Sequence, residues 1–234
     1  MNGEVKVLDK YGVEKKVQKI EKIENVLSKA FYLLVKRTFD IVCGLIGVIC
    51  LVPLTLAVKI GNLLTGDTKS IFYAQKRIGL DGKEFNLYKF RSMVPNADEK
   101  LEELLKNDEK LAEEYQINKK LENDPRITKI GKFLRKTSLD ETPQLLNVLL
   151  GEMSLIGNRP YLPREKEDMG EYYIDIVKTK PGLTGYWQVE GRSETTFDER
   201  LKLEQYYSNH VNLKMDVKIF LKTFEVVLLS KGAK

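Results

Sequence analysis

The sequence predicts a mainly α-helical, membrane-associated protein with one small β-hairpin. Three observations carry this. An uncharged apolar run of 18 residues extends from Ile41 to Val58, which meets the lower limit of the roughly 17–25 residues a spanning helix needs. Apolar residues recur at helical spacing in residues 96–122, and 196–207 and 214–230 also read as helices. Residues 72–93 alternate apolar and polar side chains around Gly79 and Asp81-Gly82, the pattern of a hairpin.

Residues 1–35 read as a basic amphipathic arm, helical from about Val17. Residues 1–37 hold nine Lys/Arg (Lys6, Lys10, Lys15, Lys16, Lys19, Lys22, Lys29, Lys36, Arg37) against five acids (Glu4, Asp9, Glu14, Glu21, Glu24). That segment therefore carries +4 of the chain's net +5. Such an arm points to an anionic partner, either nucleic acid or an anionic leaflet.

Residues 36–62 form the membrane segment. It starts too late for a signal peptide, and no small-residue cleavage site follows it. Lys36 and Arg37 precede it, and Lys59 and Lys69 follow it. Basic residues belong on the cytoplasmic side. A helix broken at Pro53 that enters and leaves on one face satisfies both flanks. A single span with a tolerated proline is the other reading, and these residues alone leave the two open.

The remaining segments follow in order. In 96–122, Leu101, Leu104, Leu105, Leu111, Ala112 and Tyr115 mark one surface amphipathic helix. Asn123 to Thr128 read as a turn, and 142–150 as a helix. Residues 151–165 read as a loop with two prolines, and 178–193 as a Gly-rich loop around the only tryptophan. The last helix has Lys on one side and Phe, Leu and Val on the other, which suits a membrane interface or core packing equally.

Composition excludes several chemistries. The two cysteines, Cys43 and Cys50, both lie in the apolar run, so no disulfide framework is expected. The only histidine is His210, so ordinary zinc sites and Ser-His-Asp arrangements lack support. An enzymatic nucleophile or base here is a carboxylate, Lys or Tyr.

The pair Asp140-Glu141 is the leading candidate. Ser138-x-x-Glu141 matches a capping box. With Ser138 as cap, however, Pro143 falls where a helical N–H should bond. Thr142 as cap, with Pro143 at the first helical position, fits better. The two acids then stand at the positive end of the helix, where phosphates bind. On this chemistry a plain helix start and an active site both stay open. Arg126, Arg135 and Arg159, with Arg77, Lys89 and Arg91, supply cations for a phosphate site. For any single one a solvated surface charge is the ordinary reading, and Arg159, framed by Asn158 and Pro160 in a constrained loop, is the better candidate.

Taken together, "KRTFD" (36–40), the apolar run with Pro53, "FYAQKRIGLDGKEFNLYKFRSM", "DPRITKIGKFLRKTSLDETPQLLNVLLGEMSLIGNRP" and "KPGLTGYWQVEGRS" resemble the bacterial sugar transferases, the monotopic polyprenyl-phosphate phosphoglycosyl transferases. The resemblance covers roughly residues 31–230. It implies a monotopic fold with a re-entrant helix-break-helix at Pro53, interfacial amphipathic helices, and a cytoplasmic catalytic domain over 63–234 on the bacterial inner membrane. It implies transfer of sugar 1-phosphate from a UDP-sugar to undecaprenyl phosphate, with UMP released and Mg²⁺ required. Asp140 would be the nucleophile, Glu141 the metal ligand, and Arg159 a phosphate ligand. The partners implied are the donor, the lipid acceptor and anionic lipid, with no nucleic acid and a homodimer left open.

The donor sugar is not legible. Glucose or galactose is favoured over an N-acetylamino sugar, and a non-catalytic membrane-anchored module is the alternative from another class. Two departures from the family pattern stand out: Thr142 for a leucine, and Asn158 for a proline that would stiffen the Arg159 loop. The several N-terminal spanning helices of longer members are also missing, so the chain looks like a minimal catalytic unit.

Overall fold

The computed structural model describes the backbone of residues 3–118, 121–191 and 195–228, and the side chains of 26–116, 121–191 and 195–225. It opens on one 62-residue helix, α1 (Gly3–Leu64). The helix begins well before Val17. The basic side chains of the arm up to Asn25 lie outside the described residues.

α1 runs through Pro53 without the break expected there. The reason is tertiary. Asp40, Gly44, Leu51, Val58 and Asn62 recur at helical spacing and are all buried. Leu51 and Val58 share a cluster with Ile71, Phe90 and Leu134, and Leu54, Ile130 and Leu146 pack against it. Burying each such side chain contributes about 1.5–3 kcal/mol, so contacts on both sides of the proline offset its helix-interior cost of about 3 kcal/mol. Pro53 itself is on the exposed side. So are Ile41, Leu45, Ile49, Val52 and Leu56. By length and composition, α1 is long and apolar enough to cross a membrane.

The KRTFD motif fastens the entry of this segment. Lys36 Nζ donates to the Ile156 carbonyl at 2.8 Å and pairs with Asp216 at 2.6 Å. Arg37 donates to the carbonyls of Val148 (2.6 Å) and Leu149 (2.7 Å). Asp40 Oδ1 accepts from the Leu155 N–H (2.8 Å) and the Ser154 hydroxyl (3.0 Å).

The hairpin forms as expected. Strands β1 (Phe72–Ile78) and β2 (Glu84–Phe90) pair antiparallel, with Phe72 opposite Phe90. The turn places Asp81 and Gly82 at φ 54° and 77°, a left-handed geometry that Asp-Gly tolerates.

The single helix expected over 96–122 is two helices, α2 (Ala97–Asn107) and α3 (Glu109–Asn118). Asp108 is extended at the junction. Its Oδ1 accepts from the N–H groups of Lys110 and Leu111, so it caps the second helix. Next come α4 (Lys129–Lys136), capped by Thr128, and α5 (Gln144–Leu150).

Two segments read as loops contain regular structure. β3 (Ser154–Ile156) pairs parallel with β4 (Gly182–Thr184). Around and after them lie α6 (Tyr172–Ile176), α7 (Tyr186–Glu190), α8 (Phe197–His210) and α9 (Leu213–Leu228). The two strands are three residues each, too short for a visible alternation. α9 packs on the core through Asp216 and Ile219, which are buried, while Leu213, Val217, Leu221 and Phe224 are exposed. It lies beside α1, with the Phe39 and Phe220 rings edge to face at 5.1 Å.

Candidate active site

α5 is locked onto β2 by one side chain. Asn147 is fully buried. Its Oδ1 accepts from the Tyr88 N–H at 3.0 Å, and its Nδ2 donates to the Asn86 carbonyl and to Glu152, both at 2.7 Å. The amide thus pairs with the strand backbone as another strand would. This fixes the turn that precedes α5 against the hairpin.

That turn carries Asp140 and Glu141. It is a 3-10 turn over Leu139–Glu141, entered through Ser138 at φ 55°. Ser138 makes no capping bond, and neither does Thr142, contrary to the expectation from spacing. The Thr142 hydroxyl instead donates back to the Leu139 carbonyl at 2.8 Å. The placement of the acids is nevertheless as expected, just before the helix, with Pro143 at φ −62° leading into it.

The two carboxylates have opposite environments. Lys89 Nζ on β2 pairs with Glu141 Oε1 at 2.6 Å. Burial pushes the Glu141 carboxyl up, but Lys89, with Arg159 and Arg77 beyond it, more than offsets this and holds it below the usual range. Asp140 is pushed up, chiefly by burial. Lys89 and Arg135 oppose that shift and the Glu141 charge adds to it. Burial opposes the charge of both acids, and the pair is split because cations outweigh it at Glu141 but not at Asp140, a pattern that catalytic carboxylates favour.

Of the expected cations, Lys89, Arg77, Arg135 and Arg159 are brought to the dyad. Arg135 Nε is held by the Ser92 hydroxyl at 2.9 Å. Arg77 is buried and donates to the Pro160 carbonyl at 2.9 Å, in the loop that carries Arg159. Arg91 and Arg126 are committed elsewhere. Arg91 bonds both oxygens of Asp67 at 2.9 Å, closing the chain after α1. Arg126 pairs with Asp124, two residues away, at 2.6 Å.

The Arg159 loop keeps its rigidity without the missing proline. Asn158 Nδ2 donates to the Ser208 hydroxyl (2.6 Å), the Thr179 hydroxyl (3.2 Å) and the Ile176 carbonyl (3.2 Å). The Arg159 N–H donates to Glu204 at 2.8 Å. Glu204 is buried, and burial raises its carboxyl to about 8.

The bacterial sugar transferase family matches residues 31–230. The chain belongs to that family. This family member is 45% identical, over 91% of its length, to the undecaprenyl-phosphate galactose phosphotransferase of Salmonella typhimurium, and it spans 44% of that relative. It is 41% identical over 85% of its length to the exopolysaccharide production protein ExoY of Sinorhizobium fredii, spanning 87% of it. It is 34% identical over 87% of its length to the UDP-glucose:undecaprenyl-phosphate glucose-1-phosphate transferase of Xanthomonas campestris pv. campestris, spanning 40% of it. The chain thus spans less than half the length of the first and third of these.

Sequence reasoning passed over Arg200, Glu204 and Ser208. In this family member they form one stripe of α8 facing the Arg159 loop. Their four-residue spacing was visible, but nothing in it distinguished them from solvated helix charges.

The site suits Mg²⁺ bound in one particular way. Among the described residues no group of three or more Asp, Glu, His or Cys could cage a metal. Mg²⁺ is commonly held by one or two carboxylates together with substrate phosphates and water, and a dyad with one firmly ionised, partly exposed member provides that.

Proposed function

We propose that this chain transfers sugar 1-phosphate from a UDP-sugar to undecaprenyl phosphate, through a covalent intermediate on Asp140, to start a surface glycan such as exopolysaccharide or capsule. The observation that carries the reading is the dyad itself: two adjacent carboxylates at the entrance of α5, Glu141 paired with Lys89 at 2.6 Å and both acids within the field of nearby Lys and Arg side chains. The names of the relatives support the lipid acceptor and a hexose, galactose or glucose, as cargo.

In the first step a carboxylate oxygen of Asp140 attacks the sugar-bearing phosphorus. The bond from that phosphorus to the bridging oxygen breaks, and UMP leaves with the electron pair. In the second step a phosphate oxygen of the lipid attacks the same phosphorus, and Asp140 leaves as carboxylate. Covalent catalysis divides one difficult transfer between anions into two. Lys89 keeps Glu141 ionised, and Arg77 and Arg159 lower the repulsion that Asp140 meets on approach. Glu141 would hold Mg²⁺, which when bound supplies Lewis-acid neutralisation of phosphate oxygens.

The reading places the chain on the cytoplasmic face of the inner membrane without a span. The Arg37 end of the apolar segment is tied to α5, and the Leu51–Asn62 end packs on α4 and β2. Both ends therefore belong to one body, and the outer apolar face of α1, with that of α9, meets lipid side-on.

The deciding experiment is release of UMP from a panel of UDP-sugars, with and without undecaprenyl phosphate and Mg²⁺. Asp140→Asn should lower the rate about 1,000-fold or more. Mass spectrometry of wild type incubated with UDP-sugar alone should find a hexose phosphate on Asp140. Full turnover by D140N would refute the covalent route.

A further inference from the structure

Three arginines from three elements converge on the loop beside the dyad: Arg77 of β1, Arg159 after β3, and Arg200 of α8. Each has a buried Nε with no hydrogen-bond partner among the described residues, and the Tyr161 hydroxyl is in the same state. Arg77 is 8% exposed and Tyr161 1%. Glu141 acts on Arg77 and Arg159 from the dyad, and the other two carboxyl groups near the cluster, Glu165 and Glu204, each accept from a backbone N–H, of Leu162 at 2.6 Å and Arg159 at 2.8 Å. Arg77 spends its Nη groups on the Pro160 carbonyl (2.9 Å) and Gln75 Oε1 (2.7 Å), so the unmet buried groups are the three Nε donors and the Tyr161 hydroxyl. An unmet buried donor costs about 1–3 kcal/mol, and native proteins rarely tolerate several together. A ligand made of acceptors removes that cost.

Arg200 is the unexpected member. Its guanidinium lies over the Trp187 ring, 4.1 Å from the centroid. Trp187 is anchored in turn, donating from Nε1 to the Thr195 hydroxyl at 2.7 Å. Stacking fixes the plane of the fork through its face, so its in-plane N–H groups are not consumed by the ring.

We propose that Arg77, Arg159, Arg200 and Tyr161 form one cradle for phosphate oxyanions, in which Arg200 is a substrate-binding residue. Phosphate oxygens only accept, and they match the guanidinium fork in pairs. This inference rests on the transferase reading. The phosphate comes either from the donor diphosphate or from the lipid monophosphate.

Trp187 is the only tryptophan, so its emission reports directly on the ring that Arg200 covers. The full chain in nanodiscs is titrated with UDP and, separately, with a short-chain polyprenyl phosphate. Saturable changes in emission are expected in wild type. Arg200→Gln should weaken binding of at least one probe about tenfold, and Arg200→Lys, which keeps the charge and the stem, about threefold or more. Loss confined to UDP assigns the cradle to the donor, and loss confined to the lipid assigns it to the acceptor. Wild-type affinity for both probes in either folded variant overturns the proposal, and R200K decides if R200Q does not fold. Arg200-dependent binding without UMP release from any UDP-sugar leaves the cradle standing and refutes the transferase reading. Normal UMP release with Arg200-independent binding refutes the cradle alone.

Discussion

Lys89 Nζ on β2 lies 2.6 Å from Glu141 Oε1 in the turn before α5. One ion pair thus couples the hairpin to the dyad. Lys89→Met should let the Glu141 carboxyl rise, since burial then meets only Arg159 and Arg77. The acidic limb of kcat/KM for UMP release should move to higher pH, and K89R should restore most of it. Glu141 stabilises the fold through its ionised form. That contribution is present above the unfolded carboxyl pKa and is lost as pH falls through the lower folded value. Both side chains are partly exposed, so the stability lost in K89M is small, about 1 kcal/mol or less.

Asn147→Leu removes the partners of the Tyr88 N–H and the Asn86 carbonyl. Each buried orphan costs about 1–3 kcal/mol. Urea denaturation should show a loss in that range or above it, accompanied by lower kcat because the dyad turn loses its seat on β2. Asn147→Asp keeps the acceptor for Tyr88 but sets a buried carboxyl against the Asn86 carbonyl and Glu152, so it should cost at least as much as Asn147→Leu at neutral pH.

Arg37 closes the C-terminal end of α5 with two bonds to its carbonyls. Arg37→Ala should uncouple α1 from the helix behind the dyad. The outer apolar face of α1 is untouched, so the protein should stay in the membrane fraction while UMP release drops. Fractionation and activity measured on the same preparation check both halves. Arg37→Lys should recover part of the activity, since it replaces two bonds from one fork with a single ammonium.

Glu204 is held up at about 8 by burial. Its folded state favours the protonated form, so stability is undiminished below the unfolded carboxyl pKa. It declines as pH rises from there to about 8, where the folded group also ionises. Glu204→Gln keeps an acceptor for the Arg159 N–H but cannot ionise. Melting temperatures across this range should show E204Q gaining on wild type as pH rises, with the difference levelling off above about 8. Parallel curves would show that Glu204 does not titrate in this window.

Much of the architecture was legible because local chemistry enforced it. The Asp81-Gly82 turn and its flanking alternation permit little besides a hairpin. The apolar run announced α1, and Pro143 put Asp140 and Glu141 ahead of α5. Local rules failed where more than one partner lay within reach. Thr142 found the Leu139 carbonyl instead of a cap. Arg91 and Arg126 look no different in sequence from Arg77, yet Asp67 and Asp124 claim them.

The sequence by itself determined the materials of this site: a carboxylate pair at a helix entrance, a supply of cations, and an apolar segment long enough to cross a membrane. Only the tertiary structure decided which cations serve the pair and how the apolar segment lies. Packing by Leu51, Leu54 and Val58 carries the helix through Pro53, because burial summed over a face outweighs one proline. Long-range hydrogen bonds from Asn147, Asn158 and Glu204 choose the neighbours of the dyad. Those contacts join residues tens of positions apart in the chain, where no periodicity records them.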